Sequence, residues 1–232
     1  MLGPTSASRS ECDRDGDHGV APARRCVRPR RGCDALLAAE AAHGLVDAAL
    51  QRRLRGGADL LLPRACSAPH CCCPAARRGA AALGDYLTIA EDLAAHGAHV
   101  VSDLRQLWFR IAVGIALHNT DDHLRNHGLL RDRAGWRLAP AFDINPEPNI
   151  ATRHATALAG RDDADGMAQQ LIEQSAVFSL RPDDAVTACR SVVEIVRGWC
   201  EVAASLGASA SEIARFADAI DAGVSALRAV SH

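Results

Sequence analysis

The sequence predicts a mainly α-helical domain carrying one small β-hairpin, preceded by an N-terminal segment that is largely irregular. Three observations carry this. After Gly84 apolar residues recur every three or four positions in several stretches. One pair of short alternating runs, His127–Arg131 and Trp136–Ala139, flanks the turn-forming Asp132-Arg133-Ala134-Gly135. Residues 1–83 show almost no period and are rich in Arg, Ala, Gly, Pro and Cys. The expected boundaries are therefore 1–83 and 84–232.

The 232 residues are ample for a core. A net charge of −2 gives no electrostatic footprint for nucleic acid or an anionic membrane. No apolar run approaches the ~20 residues that a bilayer span requires. Ser8-Arg9-Ser10-Glu11-Cys12-Asp13 interrupts any signal-peptide core, so the expectation is a soluble cytoplasmic protein without membrane or direct nucleic-acid contact.

In residues 1–83 only 35–55 reads as an amphipathic, Ala-rich helix. Of the nine cysteines, all but Cys189 and Cys200 lie here. Three readings compete. Cys66, His70, Cys71, Cys72 and Cys73 are soft ligands, but three adjacent cysteines cannot readily face one ion. A disulfide framework fits poorly with an odd cysteine count and a cytoplasmic chain. Arg, Ala, Gly and Pro are also what GC-rich DNA yields in the wrong reading frame. A frameshift or decayed gene upstream of about residue 80 then stands against a natural disordered tail.

Tyr86, Ile89, Ala90, Leu93 and Ala94 predict a helix closed at Gly97. A second helix is expected over Ser102–Leu117, N-capped by Ser102, with Leu104, Leu107, Trp108, Ile111 and Ile115 on its buried stripe. Trp108 reads as core.

The chain then enters Asn119-Thr120-Asp121-Asp122-His123-Leu124-Arg125-Asn126, crosses the hairpin and reaches Phe142-Asp143-Ile144. Phosphoryl transfer needs such a set. One carboxylate orients or deprotonates the attacking hydroxyl, while an amide and a second carboxylate hold Mg²⁺ against nucleotide phosphates. Asp121 and Asn126 have the D-x-x-x-x-N spacing of a kinase catalytic loop, and Asp143 lies where the metal aspartate should be. His118, Asp121, Asp122, His123 and His127 also suggest a metal hydrolase, though no Glu base accompanies them and the wording reads as loop.

Beyond Asp143, Asn145-Pro146-Glu147-Pro148-Asn149 is rigid and extended. Residues 150–166 read as a solvated loop with acids at Asp162, Asp163 and Asp165. Helices are expected at about 165–177 and 182–206, the latter burying Val186, Cys189, Val193, Val196, Trp199, Cys200 and Ala203. Ser209-Ala210-Ser211-Glu212 is a capping box opening a last helix through about Leu227.

The wording NTDDHLRNHG…GWRLAPAFDINP resembles the HipA family of serine/threonine kinases, the toxin halves of bacterial toxin–antitoxin pairs. The resemblance runs from about Gly84 to the last helices and implies a protein-kinase-like C-lobe. It implies ATP and Mg²⁺ as cofactors and a protein hydroxyl as acceptor. Asp121 would be the catalytic base, Asn126 and Asp143 the nucleotide-side Mg²⁺ ligands, and His123 a brace for the loop. Asp122 falls at a variable position and inherits no role. An antitoxin-type protein partner is implied too.

One departure weighs against full activity. Lys plus Arg totals 26, and every one of these residues is Arg. The compact ammonium that kinases set against the α- and β-phosphates has no counterpart, and Arg is not its equivalent. No glycine-rich phosphate loop is visible either. The expectation is therefore an impaired kinase, or a non-catalytic remnant that binds an antitoxin-type partner through its helices.

Overall fold

The computed structural model describes residues 84–131 and 133–232. The helix expected at 35–55, the cysteine cluster and the irregular segment over 1–83 lie outside the described residues.

The domain is mainly helical, as the periodicity predicts. α1 spans Tyr86–His96. The Asp85 carboxylate opens it by accepting the Leu87 amide, and the Gly97 amide closes it on the carbonyl of Leu93. α2 spans Val100–Ala116 and begins two residues before the expected Ser102. Ser102 lies inside the first turn, its hydroxyl donating back to the His99 carbonyl, so it is not the N-cap.

α2 is the central element, packed against α1, α3 (Ala164–Glu173), α4 (Pro182–Arg197) and α6 (Ala210–Ala229). Leu107, Trp108, Ile111 and Ile115 are fully buried along it. The Trp108 indole N–H donates to the Leu171 carbonyl at 2.9 Å, which satisfies the one polar atom that ring brings into the core. At Gly223 α6 comes so close to the end of α2 that a Cβ there would lie 2.9 Å from the Ala116 carbonyl oxygen.

The helix expected over 182–206 is two helices. α4 ends at Arg197, and α5 (Trp199–Ser205) starts again after Gly198. Glycine has low helix propensity, and the break re-aims the side chains that follow. Cys200, just after the break, is exposed rather than core. Val186, well before it, is only half-buried. Cys189 is fully buried, and burial pushes its thiol up to about 12, leaving it unreactive. The helix expected at 165–177 stops at Glu173 and passes into a 3₁₀ turn over Ser175–Phe178. The capping box at Ser209 and Glu212 forms as expected.

The hairpin is β2 (Leu129–Arg131) against β3 (Trp136–Leu138), with Leu129 opposite Leu138. A second, unexpected ladder joins β1 (Gly84–Asp85) in parallel to β4 (Thr156–Ala157), inside the segment read as a solvated loop. Asp163, one of that segment's acids, N-caps α3 by accepting the Gly166 amide. No helix among the described residues is long and apolar enough to cross a membrane.

Candidate functional site

α2 is capped at its C-terminus by Leu117 and delivers His118 in a left-handed conformation, φ 52°. Such a backbone is uncommon for a residue with a Cβ. It turns the chain into the Asn119–Asn126 loop, which closes with a 3₁₀ turn over Leu124–Asn126. After the hairpin, Asp143 is the second non-glycine residue here with positive φ, at 59°.

The two segments are stitched to each other. The Glu147 amide donates to the His118 carbonyl at 3.0 Å, and the His118 ring donates through Nε2 to the Asn149 carbonyl at 3.1 Å. The Asn145 amide donates to Asn119 Oδ1 at 3.2 Å. His118 and Asp143 thus place a left-handed residue in each of the two joined segments.

Asp121 is exposed at the start of the loop. Its main-chain carbonyl accepts the His123 amide at 3.0 Å and the Asn126 side-chain amide at 3.2 Å. Asn126 is buried and lines a small cleft together with Arg110, Asn119, Asp122, Phe142 and Ile144. Asp143 sits between two of these lining residues, with one carboxylate oxygen accepting from Asn145 Nδ2 at 2.9 Å. His123 is half-buried, and its Nδ1 has no hydrogen-bond partner. Its main-chain carbonyl accepts the Asn126 amide at 2.8 Å.

The residue that inherits no role from the family motif, Asp122, ties the loop to α1. Asp122 is 7% exposed and accepts the Tyr86 hydroxyl at 2.6 Å and His127 Nε2 at 3.1 Å. The Tyr86 and His127 rings meet edge to face with centroids 5.6 Å apart. Burial alone would raise the Asp122 carboxyl, but the His127 bond and charge, the Tyr86 hydroxyl and the Arg110 charge together hold it below the ordinary value. For Tyr86 burial and the Asp122 charge act in one direction, and its hydroxyl is raised well above 10.0.

Arg110 is buried on α2 and donates from one terminal nitrogen to the Ala139 carbonyl. Its Nε and other terminal nitrogen have no hydrogen-bond partner. Burial lowers it to about 10, against the pull of Asp122 and Asp103, so it remains a cation at neutral pH. The charges of Asp122 and Asp103 act on it with opposite sign. On the far side His154 packs edge-on to His118, its ring pushed down to about 4 by burial and then by His118.

His123 and His127 do not share a ligand position, because His127 is turned inward onto Asp122. Among the described residues no three His, Cys, Asp or Glu side chains converge as a metal cage. One amide oxygen and one carboxylate, from Asn126 and Asp143, suit a hard cation that completes its shell with phosphate and water.

The family model for the HipA-like C-terminal domain matches residues 64–203, which include the whole loop, the hairpin and Asp143. The chain belongs to the HipA-like C-terminal domain family. Among solved structures, this member of the family is similar to HipA from the Shewanella oneidensis MR-1 toxin–antitoxin system, solved with HipB and its operator DNA. That likeness has 15% identity and a TM-score of 0.48, covering 62% of this chain and 35% of the other. The chain thus spans about a third of the length of that relative. No curated protein matches the sequence.

Proposed function

We propose that the chain is the C-lobe of a HipA-like serine/threonine kinase, acting in the cytoplasm to move the γ-phosphoryl group of ATP to a protein hydroxyl. Asp121 is the base, exposed where an acceptor hydroxyl can reach it. Asn126 and Asp143 would hold Mg²⁺, which when bound supplies charge neutralisation at the phosphates. The observation that carries the reading is the cross-stitching of the Asn119–Asn126 loop to the 143–149 segment. It joins the two halves of the motif within a family match that spans both.

These 232 residues contain no lysine, so the phosphate-side ammonium must come from outside them or be missing. The expected result is weak transfer by the chain alone. The test is labelled phosphate transfer from Mg–ATP to the chain itself and to casein as a generic acceptor. Asp121→Ala and Asp143→Asn should each abolish the weak signal. Transfer that survives both substitutions would sink the assignment.

The missing lysine also favours a second reading, in which the domain has lost catalysis and serves to bind an antitoxin-type protein. Binding of such a partner that ignores Asp121→Ala and Asp143→Asn, with no phosphate transfer by wild type, would select it.

A further inference from the structure

The Asn119–His127 loop is held by two braces of equal span set one residue out of step. In the outward brace, Asn126 Nδ2 donates to the carbonyl of Asp121 at 3.2 Å. In the inward brace, His127 Nε2 donates to the carboxylate of Asp122 at 3.1 Å. Asp121 is exposed, whereas Asn126, Asp122 and His127 are buried. Only the inward one is anchored to the rest of the domain. Tyr86, at the start of α1, donates its hydroxyl to the same carboxylate, and the buried Arg110 of α2 faces it with opposite charge.

A carboxylate is costly to bury unless it is paired and hydrogen-bonded. Here one aspartate collects partners from α1, α2 and the start of the hairpin. We propose that Asp122 is the positioning residue of this loop: clamped between Tyr86 and His127, it fixes the direction in which Asp121 leaves the surface and the place where Asn126 meets the cleft. The proposal rests on the reading of Asp121 and Asn126 as the working residues. Asp122 itself touches no reacting atom and acts through its neighbours.

Amide hydrogen exchange across the whole chain, together with phosphate-transfer kinetics, tests this in wild type, Asp122→Asn and Tyr86→Phe. Opening the loop breaks both braces, so the His123, Asn126 and His127 amides should exchange about tenfold faster in Asp122→Asn. Tyr86→Phe removes a single hydroxyl and should give about fivefold at the same amides, which keeps the proposal testable if the aspartate variant folds poorly. Where wild type transfers phosphate, Asp122→Asn should lower kcat and leave KM for ATP unchanged.

Faster exchange at α2 core amides with no change in the loop would overturn the proposal, because Asp122 would then serve core stability alone. An unchanged kcat in Asp122→Asn would overturn it too. If wild type transfers no phosphate while the loop amides respond as expected, the kinase reading fails and the positioning role stands.

Discussion

The carboxylate of Asp103 accepts the main-chain amide of Leu138 at 2.9 Å, tying the first turn of α2 to the second strand of the hairpin. Both residues are buried, so the amide has no access to water as an alternative acceptor. Asp103→Ala should cost about 1–3 kcal/mol by urea unfolding, the penalty of an orphaned buried donor. It should also speed exchange of the Leu138 amide. An unchanged unfolding midpoint would refute this.

Two glycines predict opposite signs. A Cβ at Gly223 would run into the carbonyl oxygens of Ile115 and Ala116, backbone atoms that cannot swing aside. Gly223→Ala should therefore destabilise by about 1–3 kcal/mol or more, as overpacking does. Gly114, inside α2, has nothing within 4 Å of its would-be Cβ. Gly114→Ala should stabilise by up to about 1 kcal/mol, the usual helical gain. Thermal melts of both variants settle the signs.

Tyr86 is the single tyrosine of the chain, so tyrosinate absorbance reports it alone. Its phenol should ionise well above 10 in the folded protein. Because the folded value is raised, its stabilising contribution is complete below the ordinary value of about 10 and is lost as pH rises beyond it. Asp122→Asn should bring the ionisation down, though burial, the larger cause, still keeps it above 10. A midpoint near 10 in the folded wild type would contradict the buried pair.

His154 predicts acid sensitivity in a different window. Its folded pKa is lowered from 6.5 to about 4, so its contribution is present above 6.5 and is lost as pH falls towards 4. The loss should be about 3 kcal/mol across that window. His154→Gln should flatten this part of the stability–pH curve when urea midpoints are followed at successive pH values. A wild-type curve already flat there would refute the assignment.

Much of this architecture is legible in the amino-acid sequence, wherever a repeating period or a named cap is present. The hairpin, α1 with its Gly97 stop and the Ser209–Glu212 capping box all carry such signals. The split at Gly198 is not legible, since a single glycine inside an amphipathic run is tolerated as often as it interrupts. Nor is the β1–β4 ladder, because two residues per strand cannot show alternation.

At the site, spacing picks out Asp121, Asn126 and Asp143. It does not pick out Asp122, because its partner Tyr86 lies 36 positions away and an aspartate in a polar loop reads as exposed. The one local hint is its five-residue separation from His127.

Gly84, Asp85 and Tyr86 have a mechanical consequence. In three consecutive residues the chain pairs with Thr156 and Ala157, holds the Ala159 and Gly160 amides through Asp85, and reaches Asp122 through Tyr86. Gly84 also lies against Leu124 in the 3₁₀ turn, where a Cβ would come within 2.6 Å of that side chain. A tug on the chain just ahead of Gly84 would fall on these bonds and on the first turn of α1, which Asp85 caps and Tyr86 begins. One of these bonds, Tyr86 to Asp122, ends in the Asn119–His127 loop, so Gly84–Tyr86 couples the start of the domain to that loop directly.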